Sequence, residues 1–320
     1  MKPHEPIRIE EVRAAQSRIA GVAVRTPLVR LNVEDAPARI YLKLENLQPV
    51  GSFKLRGVFN TVSLASKEQL SQGLWTVSPG NTGQAVAWCA KHLGVPCTVV
   101  VPERAPESKL AAIARLGGEV VKTSFAELMQ VAQTHRLEGM EGFFVHPFSN
   151  PTVMAGNGTI GLEILEDLPE VETIITPYGG GGLSCGIAST LRSLKPEVKL
   201  FASEVETGAP FAASLAAGEP TEVEHTPSLV DGISSPRVFP EMFPLASRLL
   251  DGSLVTSLEE VTSALRIVAE RNHVIAEGAG AAPVAAALSG QAGGGNVVCV
   301  VSGGNVDSDK LAGILGGQTP

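Results

Sequence analysis

Short apolar runs alternate with longer amphipathic segments along most of the chain. The runs have the length and composition of buried strands, and the segments between them space their apolar residues as helices do. Strands that alternate with helices in this way predict an α/β fold of open, mostly parallel twisted sheets flanked by helices. The predicted strands are 40–45, 75–77, 97–101, 119–122, 143–145, 173–176, 198–203 and 296–301. The predicted helices are 8–20, 54–64, 84–93, 107–116, 125–136, 183–194, 258–271 and 278–289.

Two stretches do not follow this alternation of strands and helices. The sequence His-Pro-Phe-Ser-Asn-Pro at 146–151 punctuates the chain, and we expect a crossing between two domains near it. Residues 207–257 are rich in Pro and Ala and show little periodicity, so no elements are predicted there. A length of 320 residues fits two domains, because single hydrophobic cores stop growing at roughly 250–300 residues.

The composition argues against some classes of binding partner. The chain has 25 basic and 33 acidic residues, a net charge of −8 and 4% aromatic residues, which argues against nucleic acid and anionic membranes. The N-terminus lacks an apolar signal core, and no apolar run reaches the roughly 18–20 residues of a membrane span. We therefore expect a cytoplasmic protein. The cysteines lack metal-ligand spacing and lie in apolar segments, so we interpret them as buried hydrophobic side chains: Cys89, Cys97, Cys185 and Cys299.

A lysine stands in an unusual place in the sequence Gly-Ser-Phe-Lys-Leu-Arg-Gly at 51–57. Lys54 lies between the apolar Phe53 and Leu55. Burial would lower the pKa of its amine and make it a nucleophile of the kind that forms Schiff bases. Taken alone, the residue is better interpreted as an exposed lysine at the start of a helix, so a chemical role depends on the rest of the chain.

Four glycines at 179–182 follow a predicted strand and precede a predicted helix. Such a turn can aim backbone N–H groups at one point, and the helix N-terminus adds partial positive charge, so the segment predicts a phosphate site. The alternative is a flexible turn, but four glycines cost more conformational entropy than a plain turn needs. No Gly-Lys-Ser/Thr follows, and the GxGxxG spacing is missing, so neither a P-loop nor a dinucleotide site is predicted.

Two further turns offer polar groups. Ser78-Pro79-Gly80-Asn81-Thr82 could hold a carboxylate, and Asn81 could donate to a phenolate-type oxygen, although a plain N-cap explains the turn equally well. Ser302 follows an apolar strand, where open α/β sheets bind ligands, although alone it is better interpreted as part of a turn. Lysine chemistry and a phosphate site together favour pyridoxal phosphate as the cofactor, because that cofactor needs both.

Candidate acid–base residues are few. His146 and His273 have no companions at metal-ligand spacing, and no GxSxG sequence is present. We interpret the acidic residues of helical segments as solvated faces, so no side chain is predicted as the catalytic acid: Glu163, Glu166, Asp167, Glu259 and Glu260.

Seven motifs occur in the order found in one enzyme family. They are GSFKLRG at 51–57, SPGNTGQAVA at 78–87, HPFSNP at 146–151, AGNGTIGLEI at 155–164, PYGGGGL at 177–183, EGAGAAPVAAAL at 277–288 and SGGNVD at 302–307. Together they resemble the fold-type II pyridoxal-phosphate enzymes, in particular the threonine/serine dehydratase and serine racemase group. The resemblance covers nearly the whole chain. It implies a tryptophan-synthase-β-like fold with a large domain at 1–63 and 151–320 and a small inserted domain at 64–150, commonly in a homodimer.

The resemblance also implies residue roles. Lys54 would bond pyridoxal phosphate as a Schiff base and later take the α-proton of the substrate. The other implied cofactor contacts are Phe53, Asn81 at the 3′-oxygen, Gly179, Gly180, Gly181, Gly182 and Leu183 at the phosphate, and Ser302 at the pyridine nitrogen. The implied contacts of the substrate carboxylate are Ser78, Gly80, Asn81 and Thr82. The cofactor phosphate is the expected acid for the departing hydroxyl group.

Several positions depart from the family pattern. Pro79 stands where racemases place a serine that gives a proton to the face opposite the lysine, so racemisation is disfavoured. Thr82 stands where the common threonine enzymes of the family have a histidine, so the carboxylate pocket differs from theirs.

Glu204 and Gly208 match two of the groups with which some family members bind a divalent cation. The third position is Pro210, so a tight Mg²⁺ site is not expected and a weaker cation site stays open. The chain ends soon after Asp307, so we expect no regulatory domain and a catabolic role.

The sequence thus predicts an ammonia-lyase that converts a β-hydroxy L-amino acid to a 2-oxo acid and ammonia. Threonine and serine are the default substrates, and the changed pocket at Pro79 and Thr82 also allows a 3-substituted serine such as phenylserine or 3-hydroxyaspartate. The alternatives are an amino-acid racemase and a non-catalytic protein that binds pyridoxal phosphate or another phosphate ligand.

Overall fold

The computed structural model describes residues 3–319, apart from the side chains at 125, 129, 132 and 133. The ends of the predicted large domain, 1–2 and 320, lie outside this range. The strands are β1 Leu28–Arg30, β2 Arg39–Leu44, β3 Leu74–Val77, β4 Cys97–Pro102, β5 Glu119–Thr123, β6 Phe143–Phe144, β7 Thr173–Pro177, β8 Lys199–Val205, β9 Gly252–Thr256 and β10 Asn296–Val301. The helices are α1 Ile9–Ile19, α2 Lys54–Val62, α3 Lys67–Ser71, α4 Asn81–Leu93, α5 Glu107–Arg115, α6 Phe125–Thr134, α7 Pro151–Asp167, α8 Gly182–Leu194, α9 Pro210–Ala217, α10 Phe243–Leu249, α11 Leu258–Asn272, α12 Gly278–Leu288 and α13 Ser308–Leu315.

The strands form two open sheets. The large sheet has the order β1-β2-β10-β7-β8-β9, and the small sheet has the order β5-β4-β3-β6. Only the β1–β2 pair is antiparallel among the described strand pairs, so the predicted α/β class with mostly parallel sheets is confirmed. All strands of the small sheet fall within the predicted insert at 64–150, and the domain boundaries themselves stay a prediction.

The centre of the large sheet is apolar because helices cover both of its faces. Every residue of β10 is buried, and successive side chains point to opposite faces, as the pleat requires. Val298 and Val300 belong to the core shared with α1, α7 and α8. Val297 and Val301 belong to the core on the other face, with α11 and α12. The four cysteines are free and buried, as predicted.

The longest described helix, α7, was given no predicted range, although the acids near its end were interpreted as part of a helix. Its glycines lower helix propensity, but each permits a close helix contact. A Cβ on Gly156 would lie 2.5 Å from the Arg56 carbonyl oxygen, and a Cβ on Gly158 would lie 2.9 Å from the Gly186 carbonyl oxygen. Close packing of α7 against α2 and α8 therefore outweighs the propensity of its residues.

Other parts of the sequence-based assignment also need correction. The stretch 207–257 contains α9, α10 and β9, whose short lengths and prolines hid their periodicity. The elements β1, α3 and α13 were not predicted either, and α4 begins at Asn81 rather than at 84. Among the described residues, no helix is both long and apolar enough to cross a membrane.

Candidate active site

A cleft where the two sheets meet gathers the residues that the sequence analysis assigned to cofactor and substrate. Its volume is about 560 Å³, and it opens where β3, β7 and β10 end. Open α/β sheets bind ligands at these carboxyl ends of their strands. The predicted residues that line the cleft are Phe53, Lys54, Ser78, Gly80, Asn81, Thr82, Gly179, Gly180, Gly181, Gly182, Leu183 and Ser302.

Lys54 is the first residue of α2, and its amine lies inside the cleft. Its Nζ atom donates a hydrogen bond to the Pro147 carbonyl oxygen at 2.8 Å and lies 5.1 Å from the centre of the Phe53 ring. Burial lowers the pKa of Lys54 to about 8, and the nearby Glu277 charge opposes this shift. Because the neutral amine is both a nucleophile and a base, Lys54 can perform either role at mildly alkaline pH.

A buried ion-pair network fixes the helix that carries Lys54. Arg56 donates to both carboxylate oxygens of Glu45 at 2.8 Å and to those of Glu163 at 2.7 and 2.8 Å. The Nζ atom of Lys43 lies 2.6 Å from Glu163 Oε2. Glu163 is 5% exposed, so its interpretation as part of a solvated face is wrong. The core tolerates these charges because each one faces a partner of opposite sign.

The four glycines connect β7 to α8, and the last of them is the first residue of α8. Gly181 has a φ of +82°, a conformation that residues with a Cβ rarely adopt. A Cβ on Gly180 would lie 2.3 Å from the Phe148 ring, and a Cβ on Gly182 would lie 2.5 Å from the Phe148 carbonyl oxygen. The packing against Phe148 therefore requires glycine, and the N-terminus of α8 adds the partial positive charge that favours an anion.

Asn81 begins α4, and both ends of its side-chain amide have partners. Its Nδ2 atom donates to Glu277 Oε1 at 2.8 Å, and its Oδ1 atom accepts from Asn305 Nδ2 at 2.8 Å. Asn305 is fixed in turn, because its Nδ2 atom also donates to the Val50 carbonyl oxygen at 2.9 Å. These contacts join the small-sheet side of the cleft to the large-sheet side.

Glu277 is an acidic side chain in the cleft that sequence reasoning missed. It is 7% exposed, lines the cleft and contacts Asn81. Burial raises its pKa to about 7, and the negative Asp231 adds to the shift. Glu277 is thus an acidic side chain in the same cleft, and the role of the cofactor phosphate as the acid for the departing hydroxyl group stays a prediction. The available signal was the glutamate that precedes the Gly-Ala-Gly start of a helix in the 277–288 motif.

A second polar contact spans the mouth of the cleft. Lys109 on α5 donates to Asp231, which lies in the 3-10 turn Asp231–Ile233, at 2.5 Å. Both residues line the cleft. The side chains are 23% and 47% exposed, so water reaches this ion pair.

Ser302 follows β10, is buried, and lines the cleft. Its carbonyl oxygen accepts from the Phe53 backbone N–H at 2.9 Å, which ties the end of β10 to the residue before Lys54. Asn157 Oδ1 is buried in the same cleft and has no hydrogen-bond partner in the described part of the chain. A buried acceptor without a partner in the protein is free to accept from water or from a molecule bound in the cleft.

The residues considered for a cation lie elsewhere and already have partners. Glu204 accepts from the backbone N–H groups of Phe211 and Ala212 at 2.8 Å and from Ser253 Oγ at 2.6 Å. Its carboxylate thus caps the N-terminus of α9, whose first residue is Pro210. The described residues hold no group of three or more His, Cys, Asp or Glu side chains that could bind a metal. Gly208 pairs with Val205 in an isolated bridge.

Comparison with known proteins identifies the family. Residues 19–303 match the family described as pyridoxal-phosphate dependent enzyme. The chain is 40% identical over 315 residues to an L-threonine ammonia-lyase of Thermotoga maritima, covering 97% of this chain and 78% of that one. It is 36% identical over 318 residues to the catabolic L-threonine dehydratase of Escherichia coli K12, covering 97% of each. The solved structure of maize serine racemase superposes with a TM-score of 0.89 at 32% identity, covering 96% of each chain.

The chain belongs to the pyridoxal-phosphate-dependent enzymes of fold type II. Within them it is a member of the threonine/serine dehydratase and serine racemase family, an ammonia-lyase whose cofactor is pyridoxal phosphate. The site fits that cofactor: a buried lysine amine, a glycine turn closed by Phe148 and an orphaned buried acceptor line one cleft. Four predictions are confirmed: the family, the fold class, the enzyme class and the cofactor.

Proposed function

We propose that the protein eliminates the β-hydroxyl group of a threonine- or serine-type L-amino acid as water, and that hydrolysis of the product takes water up again and releases a 2-oxo acid and ammonia. The observation that carries the proposal is the Lys54 amine, whose pKa is lowered to about 8 inside the cleft that also holds the glycine turn. The relatives named as L-threonine ammonia-lyase and dehydratase, at 40% and 36% identity, support the same reaction class.

Four groups of residues would hold the cofactor. Lys54 would bond its aldehyde carbon, Gly179–Gly182 would bind its phosphate, Asn81 would donate to its 3′-oxygen, and Ser302 would face its ring nitrogen. Bound there, pyridoxal phosphate supplies an electron sink for the α-carbon of the amino acid. Phe53 and Leu183 line the same cleft and complete the predicted set.

The protein's own residues would then position the substrate and move its protons. The turn at 78–82 presents backbone N–H groups at the start of α4, which suits a carboxylate. Lys54 would accept the α-proton, and the Pro147 carbonyl oxygen, 2.8 Å away, accepts a hydrogen bond from the resulting ammonium. Loss of the β-hydroxyl group as water leaves an enamino acid, which hydrolyses to the 2-oxo acid and ammonia. The elimination conserves protons, because the α-carbon loses one and the hydroxyl group gains one.

Part of the wall of the cleft suits a small or apolar β-substituent, while Lys109, Arg115 and Lys310 also line the cleft and suit a carboxylate. Phe148, Leu229, Ile233 and Val306 line it. The ring of Phe148 packs on Phe239 with ring centres 4.4 Å apart, which makes this part of the wall rigid. L-Threonine and L-serine are the first substrates to test, and phenylserine and 3-hydroxyaspartate are the larger candidates.

Racemisation is the second candidate, and the likeness to maize serine racemase favours it. Pro79 lines the cleft in the turn that faces the substrate and has no proton to give, so we expect elimination to dominate. The test is a panel of β-hydroxy L-amino acids followed by oxo-acid assay and chiral chromatography. Oxo acid is expected from threonine or serine, and a D-enantiomer that accumulates faster than oxo acid would favour the racemase.

A further inference from the structure

Glu277 occupies a tight slot on the large-sheet side of the cleft. Its backbone N–H donates to the Gly303 carbonyl oxygen at 3.0 Å. A Cβ on Gly303 would lie 2.5 Å from Glu277 Oε1, and a Cβ on Gly232 would lie 3.4 Å from the same atom. The two glycines therefore leave the carboxyl group room to sit between them and hold it in one place.

The carboxyl group is placed to fix the orientation of Asn81. An ionised carboxylate can only accept hydrogen bonds, so it must face the Nδ2 end of the amide. Asn305 Nδ2 donates to the opposite end, at Oδ1. A protonated Glu277 could instead donate to Oδ1, and the contact with Asn305 would then have to fix the orientation of the amide by itself. The contact with Glu277 Oε1 uses one of the two N–H groups of the amide.

The charges around Glu277 come from three other elements. Lys54 on α2 and Lys109 on α5 are positive and favour its ionised form, while Asp231 in the 3-10 turn is negative and disfavours it. Glu277 and Lys54 line the same cleft, and the Glu277 charge raises the pKa of Lys54 against the effect of burial.

We propose that Glu277 is a positioning residue of the cofactor site, which orients the Asn81 amide and supplies the negative charge that balances the Lys54 ammonium. The proposal rests on the proposed function, because that function gives Lys54 and Asn81 their cofactor contacts. The family resemblance assigned no role to Glu277, so it implied neither the contact with Asn81 nor the charge effect on Lys54.

The charge relation is tested on the cofactor-free protein. Wild type and Glu277→Gln are labelled with acetic anhydride across a pH series, and acetylation of Lys54 is followed by peptide mass spectrometry. Removing the charge should lower the pH midpoint of Lys54 labelling by about one unit. The matched control is Glu197→Gln, which makes the same chemical change at an exposed position. An unchanged Lys54 midpoint in Glu277→Gln would overturn the charge relation.

The orientation of Asn81 is tested by the affinity for pyridoxal phosphate, measured by fluorescence quenching. Glu277→Gln keeps an acceptor oxygen and should bind within about threefold of wild type, whereas Glu277→Ala should bind about tenfold more weakly. Asn305→Ala removes the other amide partner from an exposed position, so it tests the same relation without altering the buried slot. Wild-type affinity in both alanine variants would overturn the orientation claim.

These outcomes separate the inference from the function on which it rests. If Lys54→Ala still bonds the cofactor and still releases ammonia, the proposed function fails. If Lys54→Ala loses both while the glutamate variants behave as wild type, the proposed function stands and the role of Glu277 fails.

Discussion

The amine of Lys54 donates its hydrogen bond to the carbonyl oxygen of Pro147, a neutral acceptor 2.8 Å away. A carboxylate at that position would hold the lysine firmly as an ammonium, whereas a carbonyl oxygen leaves burial as the largest influence on its pKa. The crossing segment between the two sheets thus supplies a partner that keeps the lysine reactive.

The first prediction is a pH profile. Because Lys54 must be neutral to accept the α-proton, kcat should rise with pH up to the lysine's pKa of about 8. Well below that pKa, the rate should fall about tenfold for each pH unit. Initial rates of oxo-acid formation at saturating substrate measure this, and a flat profile across the neutral range would contradict it.

The second prediction concerns the glycine turn. In Gly180→Ala, the added methyl group would meet the Phe148 ring, so we expect weaker binding of pyridoxal phosphate and a loss of about 1–3 kcal/mol in the free energy of unfolding. Fluorescence titration and urea unfolding measure the two effects. Gly294→Ala is the control, since its Cβ would meet the nearest atom only at 3.9 Å. Equal cofactor affinity and equal free energy of unfolding in the two variants would show that the Phe148 ring moves aside at little cost.

The third prediction concerns the network that anchors α2. Arg56→Ala would leave Glu45 and Glu163 buried with fewer partners, and removing one side of a buried ion pair costs about 3–5 kcal/mol. The free energy of unfolding from urea titration should fall by that amount. Arg8→Ala breaks the exposed pair with Glu11 and should change stability by less than about 1 kcal/mol. A small effect at Arg56 would mean that water enters and replaces the guanidinium group.

The fourth prediction concerns the ion pair at the mouth of the cleft. Lys109→Met breaks the contact between α5 and Asp231, so KM should rise about twofold to tenfold with a smaller change in kcat, since the pair is partly exposed. Lys122→Met removes a lysine from a looser, exposed pair with Glu107 and serves as the control. If kcat falls as much as KM rises in Lys109→Met, the pair acts on the chemical step rather than on substrate binding.

The fifth prediction tests whether the Glu204 carboxylate caps helix α9 or binds a cation. Glu204 already caps α9, and burial raises the pKa of its carboxyl group. Glu204→Gln should lower the free energy of unfolding by about 1 kcal/mol. Adding Mg²⁺ should leave the melting temperature of wild type unchanged. A cation-dependent rise that vanishes in Glu204→Gln would show that the carboxylate binds metal instead.

Local sequence patterns sufficed to predict the alternating fold and to single out two candidate positions for chemistry. Lys54 stands out because a charged residue lies between apolar ones, and the glycine turn stands out because it joins a strand to a helix. The roles of Asn81 and Ser302 came only from the family resemblance, because each turn alone has an ordinary structural explanation.

The features that were missed depend on contacts between distant parts of the chain. Glu277 meets Asn81 across 196 residues of sequence, and Glu163 meets Arg56 across 107. No local pattern distinguishes Glu163 from an acid on a solvated helix face, and the only local signal for Glu277 is its place before the Gly-Ala-Gly start of α12. Helix α7 was missed for a similar reason, since its glycines are explained by α2 and α8 rather than by its own periodicity. A homodimer and a cytoplasmic location stay predictions.

The most direct test of the central claim compares wild type with Lys54→Ala. Both proteins are incubated with pyridoxal phosphate and L-threonine, L-serine, phenylserine or 3-hydroxyaspartate, and oxo acid and ammonia are measured together. Wild type should release the two in equal amounts from at least one substrate, and Lys54→Ala should lose at least about a thousandfold in rate. Lys122→Ala, which changes an exposed lysine, should behave as wild type. Release of ammonia by Lys54→Ala at a rate near that of wild type would contradict the assignment of Lys54 as the reactive amine.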